Sequence, residues 1–208
     1  MEKMRFEGAI GSVQPRIRLT RSFDIREHSY LGFMLRLNGR VDEEPGVFTI
    51  GIGPGTQGKH KFRTGMSITG ECVPVADTRL EPVEFYKVSK VYISDRPAES
   101  DDTPPPWIGE PPALEVYRDR GHRRLASQTY ERECRHCIWG CRMAVEMIID
   151  HWKPDIRKYR NETFCYGPLS CPLYRPGPTR KVPGRKGMTW EEEDWVDEQD
   201  TNHREPDE

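Results

Sequence analysis

Five cysteines crowd into 38 residues of the second half of the chain, and thiols spaced in this way are first of all metal ligands. Cys134, Cys137 and Cys141 lie in ECRHCIWGC, and Cys165 and Cys171 lie in FCYGPLSC. The pattern is C-x2-C-x3-C, an excursion of 23 residues, then C-x5-C. A C-x2-C turn presents two thiolates at about the separation a tetrahedral metal requires. Gly167 and Pro168 let the second pair bend back on itself. The alternative, a set of small inert buried cysteines, does not account for the clustering, since only Cys72 lies elsewhere.

Two inorganic centres fit the pattern. Zinc takes four ligands, and Cys134, Cys137, Cys165 and Cys171 supply them as two knuckles, leaving Cys141 spare. A [4Fe–4S] cluster also takes four, from Cys134, Cys137 and Cys141 with either Cys165 or Cys171, and the Cys171–Pro172 step is found at many cluster sites. Zinc is the first expectation and iron–sulfur the second. His136 and His151 are substitute ligands, with a turn residue and a helix-end cation as their plainer roles.

Other patterns carry less chemistry. GPGTQGKH at 53–60 approaches the phosphate-loop spacing, but His60 stands where a hydroxyl must reach magnesium and no helix is expected to follow. Asp24 and His28 have no nucleophile beside them, and no paired acid and base stands out, so an enzyme is not the favoured class. Arg175, Arg180, Lys181, Arg185 and Lys186 form a basic stretch without an acidic residue, flanked by Tyr174 and Trp190, and suit a phosphate backbone. Arg16, Arg18 and Arg21, with Lys59, His60, Lys61 and Arg63, offer a second basic patch. Tyr30, Phe33, Phe85 and Tyr86 are candidates for base stacking if they face outward. Solvated charges and a barrel core are the competing explanations.

The elements that must position these groups are short. The 208 residues include 18 Pro and 18 Gly, 35% hydrophobic and 32% charged residues, a polar balance that suits two small domains better than one large core. No apolar run is long enough for a membrane span. The N-terminus lacks the apolar stretch of an export signal, so a cytoplasmic location is expected, where clustered cysteines more often bind metal than form disulfides. The net charge of −2 hides an asymmetry: residues 191–208 hold ten acidic residues and one Arg, and the rest of the chain carries 31 basic against 24 acidic.

Residues 1–93 read as strands rich in Val, Ile, Phe and Tyr, separated by turn clusters. This predicts a small closed β-barrel, because closure removes exposed edges. Residues 94–112 form a Pro-rich, acidic linker. Residues 113–190 hold the cysteines and the basic extension, and WGCRMAVEMIIDHW predicts the main helix, stopped by Pro154. Residues 191–208 form an acidic tail, expected to be solvated or to screen the basic stretch. The predicted class is therefore α+β and β-rich, with a barrel followed by a cysteine-ligated metal module.

The phrase KFRTGMSITGECVPV resembles the turn-and-strand stretch F-x-x-G-[DM]-x-[VI]-x-G of OB-fold proteins and of the second-domain barrels of translational GTPases. The resemblance covers about residues 5–93 and implies an OB-like barrel. Barrels joined to metal knuckles occur in nucleic-acid-binding proteins, and the arrangement also looks like acyl-CoA-associated scaffold proteins, which carry their zinc ribbon first. Three functions follow as expectations: binding of single-stranded DNA or RNA without catalysis, an accessory or scaffold subunit that docks a protein partner, and an iron–sulfur redox protein.

Overall fold

The computed structural model describes residues 3–98, 105–153 and 155–207. The chain is β-rich. Its main feature is an eight-stranded mixed sheet of order β2-β3-β5-β4-β1-β7-β8-β6, in which β1 also pairs with β2. The first five strands are β1 (Met4–Arg21), β2 (Arg26–Val41), β3 (Glu44–Ile52), β4 (Ser67–Pro74) and β5 (Phe85–Asp95), and the short helix α1 (Pro54–His60) lies between β3 and β4. Their pairings run β1-β2-β3-β5-β4 and return to β1. All are antiparallel except β3–β5, a single parallel contact at Ile50 and Phe85. Most of GPGTQG, in the stretch that approaches phosphate-loop spacing, lies in α1. The buried Gln57 donates through Nε2 to the Phe62 carbonyl at 3.0 Å and closes the turn toward β4.

The 18 residues of β1 do two jobs. The first part pairs with β4 from Met4 to Ala9, and the last part runs parallel to β7 from Arg18 to Arg21. Downstream lie α2 (Leu114–Arg120), β6 (Arg123–Arg124) and α3 (Ser127–Thr129), which continues into a π-helical turn, Tyr130–Cys134. The hairpin of β7 (Gly140–Ile148) and β8 (Arg157–Cys165) follows, then β9 (Arg180–Pro183), β10 (Thr189–Glu192) and α4 (Asp194–Thr201). One hydrophobic cluster extends from Phe6, Leu35 and Ile50 to Met143, Val145 and Phe164.

The helix expected at WGCRMAVEMIIDHW is instead mostly strand β7. Cys141, Met143, Val145 and Met147 recur every second residue and point into the main cluster, while Ala144 and Glu146 on the other face are also buried. A strand covered on both faces loses the polar alternation that identifies a strand, and its apolar run then reads as a helix. Pro154, the expected stop, lies outside the described residues, as do 99–104 of the linker.

The acidic tail is docked rather than solvated. Glu192 pairs with Arg21 at 2.6 Å and Arg26 at 3.3 Å. Asp200 pairs with Arg26 at 2.9 Å, and Asp197 holds Arg124 at 2.9 Å, with Asp194 bonded to the same guanidinium. The tail's charge offsets arginines buried in the fold, which a count of charges along the sequence cannot reveal. No helix among the described residues is long and apolar enough to cross a membrane.

Candidate metal centre and charged surfaces

The two cysteine turns sit at the same end of one hairpin. Cys137 lies three residues before β7, and the Gly140 amide donates back to the Cys137 carbonyl at 3.1 Å. Gly140 is the register partner of Cys165, the last residue of β8. The first knuckle therefore enters the hairpin where the second leaves it. Cys134 and Cys165 share a small buried cluster with Leu125 and Tyr130. Gly140 also has to be glycine, because a Cβ there would stand 2.3 Å from the Cys134 carbonyl oxygen.

The first knuckle is fastened to β1 by Gln14, which sequence reading overlooked. This side chain is fully buried; its Nε2 donates to the carbonyls of Cys134 at 2.9 Å and Cys137 at 2.8 Å, and its Oε1 accepts from the Tyr130 hydroxyl at 2.7 Å. Nothing local marks Gln14, because β1 also carries Ser12, Arg16 and Arg18 at alternate positions. Tyr117 adds a bond to the Ile138 carbonyl at 2.8 Å. The second knuckle turns where the Cys171 amide meets the Pro168 carbonyl at 3.1 Å. Arg123 and Arg204 grip its carbonyls at Pro168 and Gly167, and the tail returns to it through Ser170 and Asp207.

Backbone amides face two of the sulfurs. The Gly167 amide donates to Cys165 Sγ at 3.4 Å, and backbone amides of Trp139 and Trp107 point at the Cys137 sulfur. Amide donors of this kind favour the thiolate form. Burial first, and the neighbouring thiols in smaller part, raise the Cys134 and Cys137 thiols to about 12; those neighbours are Cys165, Cys137 and Cys171 for Cys134, and Cys165 and Cys171 for Cys137. Four sulfurs thus lie within electrostatic reach of one another. Among the described residues, no group of three or more His, Cys, Asp or Glu is drawn in to coordinating separation.

Cys141 is not part of this set. Its side chain is buried in the main cluster and its thiol donates to the Pro15 carbonyl at 3.4 Å. His136 bonds the Gly11 carbonyl at 3.3 Å, and His151 bonds Asp24 at 3.1 Å on the surface. Cys72 is fully buried in β4.

The five basic residues of the extension separate. Arg175, Lys181, Arg185 and Lys186 are exposed. Arg180 is buried against Glu162 and over the Phe164 ring at 4.4 Å. In the second basic patch, Arg16 and Arg18 pair with Glu81, and Arg21 is buried between Glu162 and Glu192. Of the aromatic candidates, Phe33 is core, while Tyr30, Phe85 and Tyr86 are half-buried.

A polar cavity of about 410 Å³ lies beside β2, with Arg26, His28, Tyr30, Arg118, His122 and Asp200 in its lining. The His28 and His122 rings meet edge to face at 4.8 Å. Burial, with Arg26 and Arg21 nearby, lowers His28 to about 4, and burial also lowers His122 well below its ordinary value, so both rings are neutral at pH 7. His122 Nε2 accepts from Arg26 at 3.0 Å.

Comparison with protein-family models, curated proteins and solved structures gave no match to this chain.

Proposed function

We propose that the chain is a zinc-stabilised, OB-like protein that binds single-stranded nucleic acid without catalysing a reaction. The observation that carries the metal half is the pairing of Gly140 with Cys165, which brings both cysteine knuckles to one end of the β7–β8 hairpin. Cys134, Cys137, Cys165 and Cys171 would hold the ion, giving a four-thiolate donor set of the kind used by structural zinc sites. Zinc would supply folding free energy there, and the amides at Cys137 and Cys165 would stabilise the ligand charge. The placement of Cys141 in the main core supports zinc over a cluster that needs it as a ligand.

The barrel half rests on the ring of pairings through β1, β2, β3, β5 and β4, with α1 between β3 and β4. Barrels of this kind bind oligonucleotides on the β2–β3 face and on the loops after β1 and before β5. The loop after β1 exposes Phe23, and Arg175, Lys181, Arg185 and Lys186 stand free of the core. The test is fluorescence anisotropy with a labelled single-stranded oligonucleotide across a salt series. Binding that weakens steeply with salt is the expected result. Undetectable binding at low salt, with copurification of a stoichiometric protein partner, would replace this reading with the scaffold one.

A further inference from the structure

Three turns that are distant in sequence assemble an aromatic groove with a basic rim. The loop between β1 and β2 contributes Phe23, the turn between β7 and β8 contributes His151 and Trp152, and the connection from β9 to β10 contributes Arg185, Lys186 and Met188, with Trp190 following in β10. The groove encloses about 390 Å³. Phe23 stacks on Trp190 with centroids 5.2 Å apart and planes 25° from parallel, and His151 meets Phe23 edge-on at 5.8 Å. Trp152 is 83% exposed and Phe23 59%. Exposure of this much ring surface has a cost in water, and at a turn it adds little to the fold.

We propose that this groove stacks the unpaired bases of a single strand, with Arg185 and Lys186 holding its phosphates. The inference rests on the nucleic-acid reading above and names its site. Two observations favour a nucleic acid over a protein chain as the occupant. The first is the parallel Phe23–Trp190 pair, which offers flat π-faces rather than an irregular apolar pocket. The second is charge: the lining carries two cations, Arg185 and Lys186, and one carboxylate, Asp150, which already faces Arg185 at 3.8 Å. Gly184 fixes the platform, because a Cβ there would stand 2.0 Å from the Trp190 ring. Bases paired in a duplex cannot enter such a groove, so the site selects single strands.

The experiment uses the full zinc-loaded chain and a labelled oligothymidylate, read by anisotropy together with tryptophan fluorescence. Expected results are quenched tryptophan emission, weaker binding of the matching duplex, and a loss of about tenfold or more in affinity for each of Trp152→Ala and Phe23→Ala. Lys186→Ala is expected to lower the salt slope by about one. Both aromatic substitutions fall at exposed positions, and unchanged zinc content checks that the variants fold. If the wild type binds the oligonucleotide and the two aromatic variants bind it equally well, the groove assignment is wrong and the nucleic-acid reading survives. If the wild type binds no oligonucleotide, both fall. A concentration-dependent dimer abolished by Trp152→Ala would assign the groove to a second copy and overturn the proposal.

Discussion

Gln14 shows how much one side chain can organise. It satisfies two knuckle carbonyls and a tyrosine hydroxyl inside an apolar region, where each unmet polar group is costly. Gln14→Leu keeps the volume and removes all three bonds. It is expected to lower stability by about 2–4 kcal/mol in urea unfolding, more than an ordinary polar-to-apolar change, because the carbonyls remain buried. His28 gives the pH dependence. Its folded pKa of about 4 lies below the usual 6.5, so the unfolded chain takes up a proton that the folded chain refuses. The contribution is complete above pH 6.5 and is lost as pH falls toward 4. Burial, together with Arg26 from β2 and Arg21 from β1, disfavours its charge, and the His122 ring from the turn after α2 packs against it. Stability is expected to drop by roughly 2–3 kcal/mol across this window, and His28→Gln should flatten that limb when unfolding is compared at pH 7.5 and pH 4.5.

Among the elements, β10 and α4 change most from their sequence appearance. Their carboxylates hold Arg21, Arg26 and Arg124 in place, and the segment then reaches the second cysteine turn through Arg204 and Asp207. Glu192→Gln leaves the buried Arg21 with Glu162 alone. An expected cost of about 2–3 kcal/mol, measured by urea unfolding, is the low end for a broken buried pair, because one partner remains. The first five strands were legible because their alternation and turn residues are local. So was the clustering of cysteines, because ligand spacing is a short-range signal. Strand β7 was not legible, since both of its faces are covered by other elements and its period is hidden. Nor were the docked tail, the burial of Arg180 or the role of Gln14, each of which depends on partners 18 to 174 residues away, whose positions only the folded chain sets.

At the scale of the whole molecule, β1 joins the two halves. It contributes to the strand ring with its first residues and to the cysteine hairpin with its last. The N-terminal strands bury their own apolar residues, whereas the cysteine turns rely on a few small contacts around Leu125 and Tyr130. An ion shared by the two turns would complete that region, and its removal should loosen β7, β8 and the tail before the strand ring. The most direct test is elemental analysis, with a visible spectrum, of the purified full chain and of two single variants, Cys165→Ser and Cys141→Ser. One zinc per chain, retained in Cys141→Ser and lost in Cys165→Ser, with no visible absorption, is the expected result. Wild-type protein that carries no metal, or zinc that survives loss of Cys165, would contradict a shared centre.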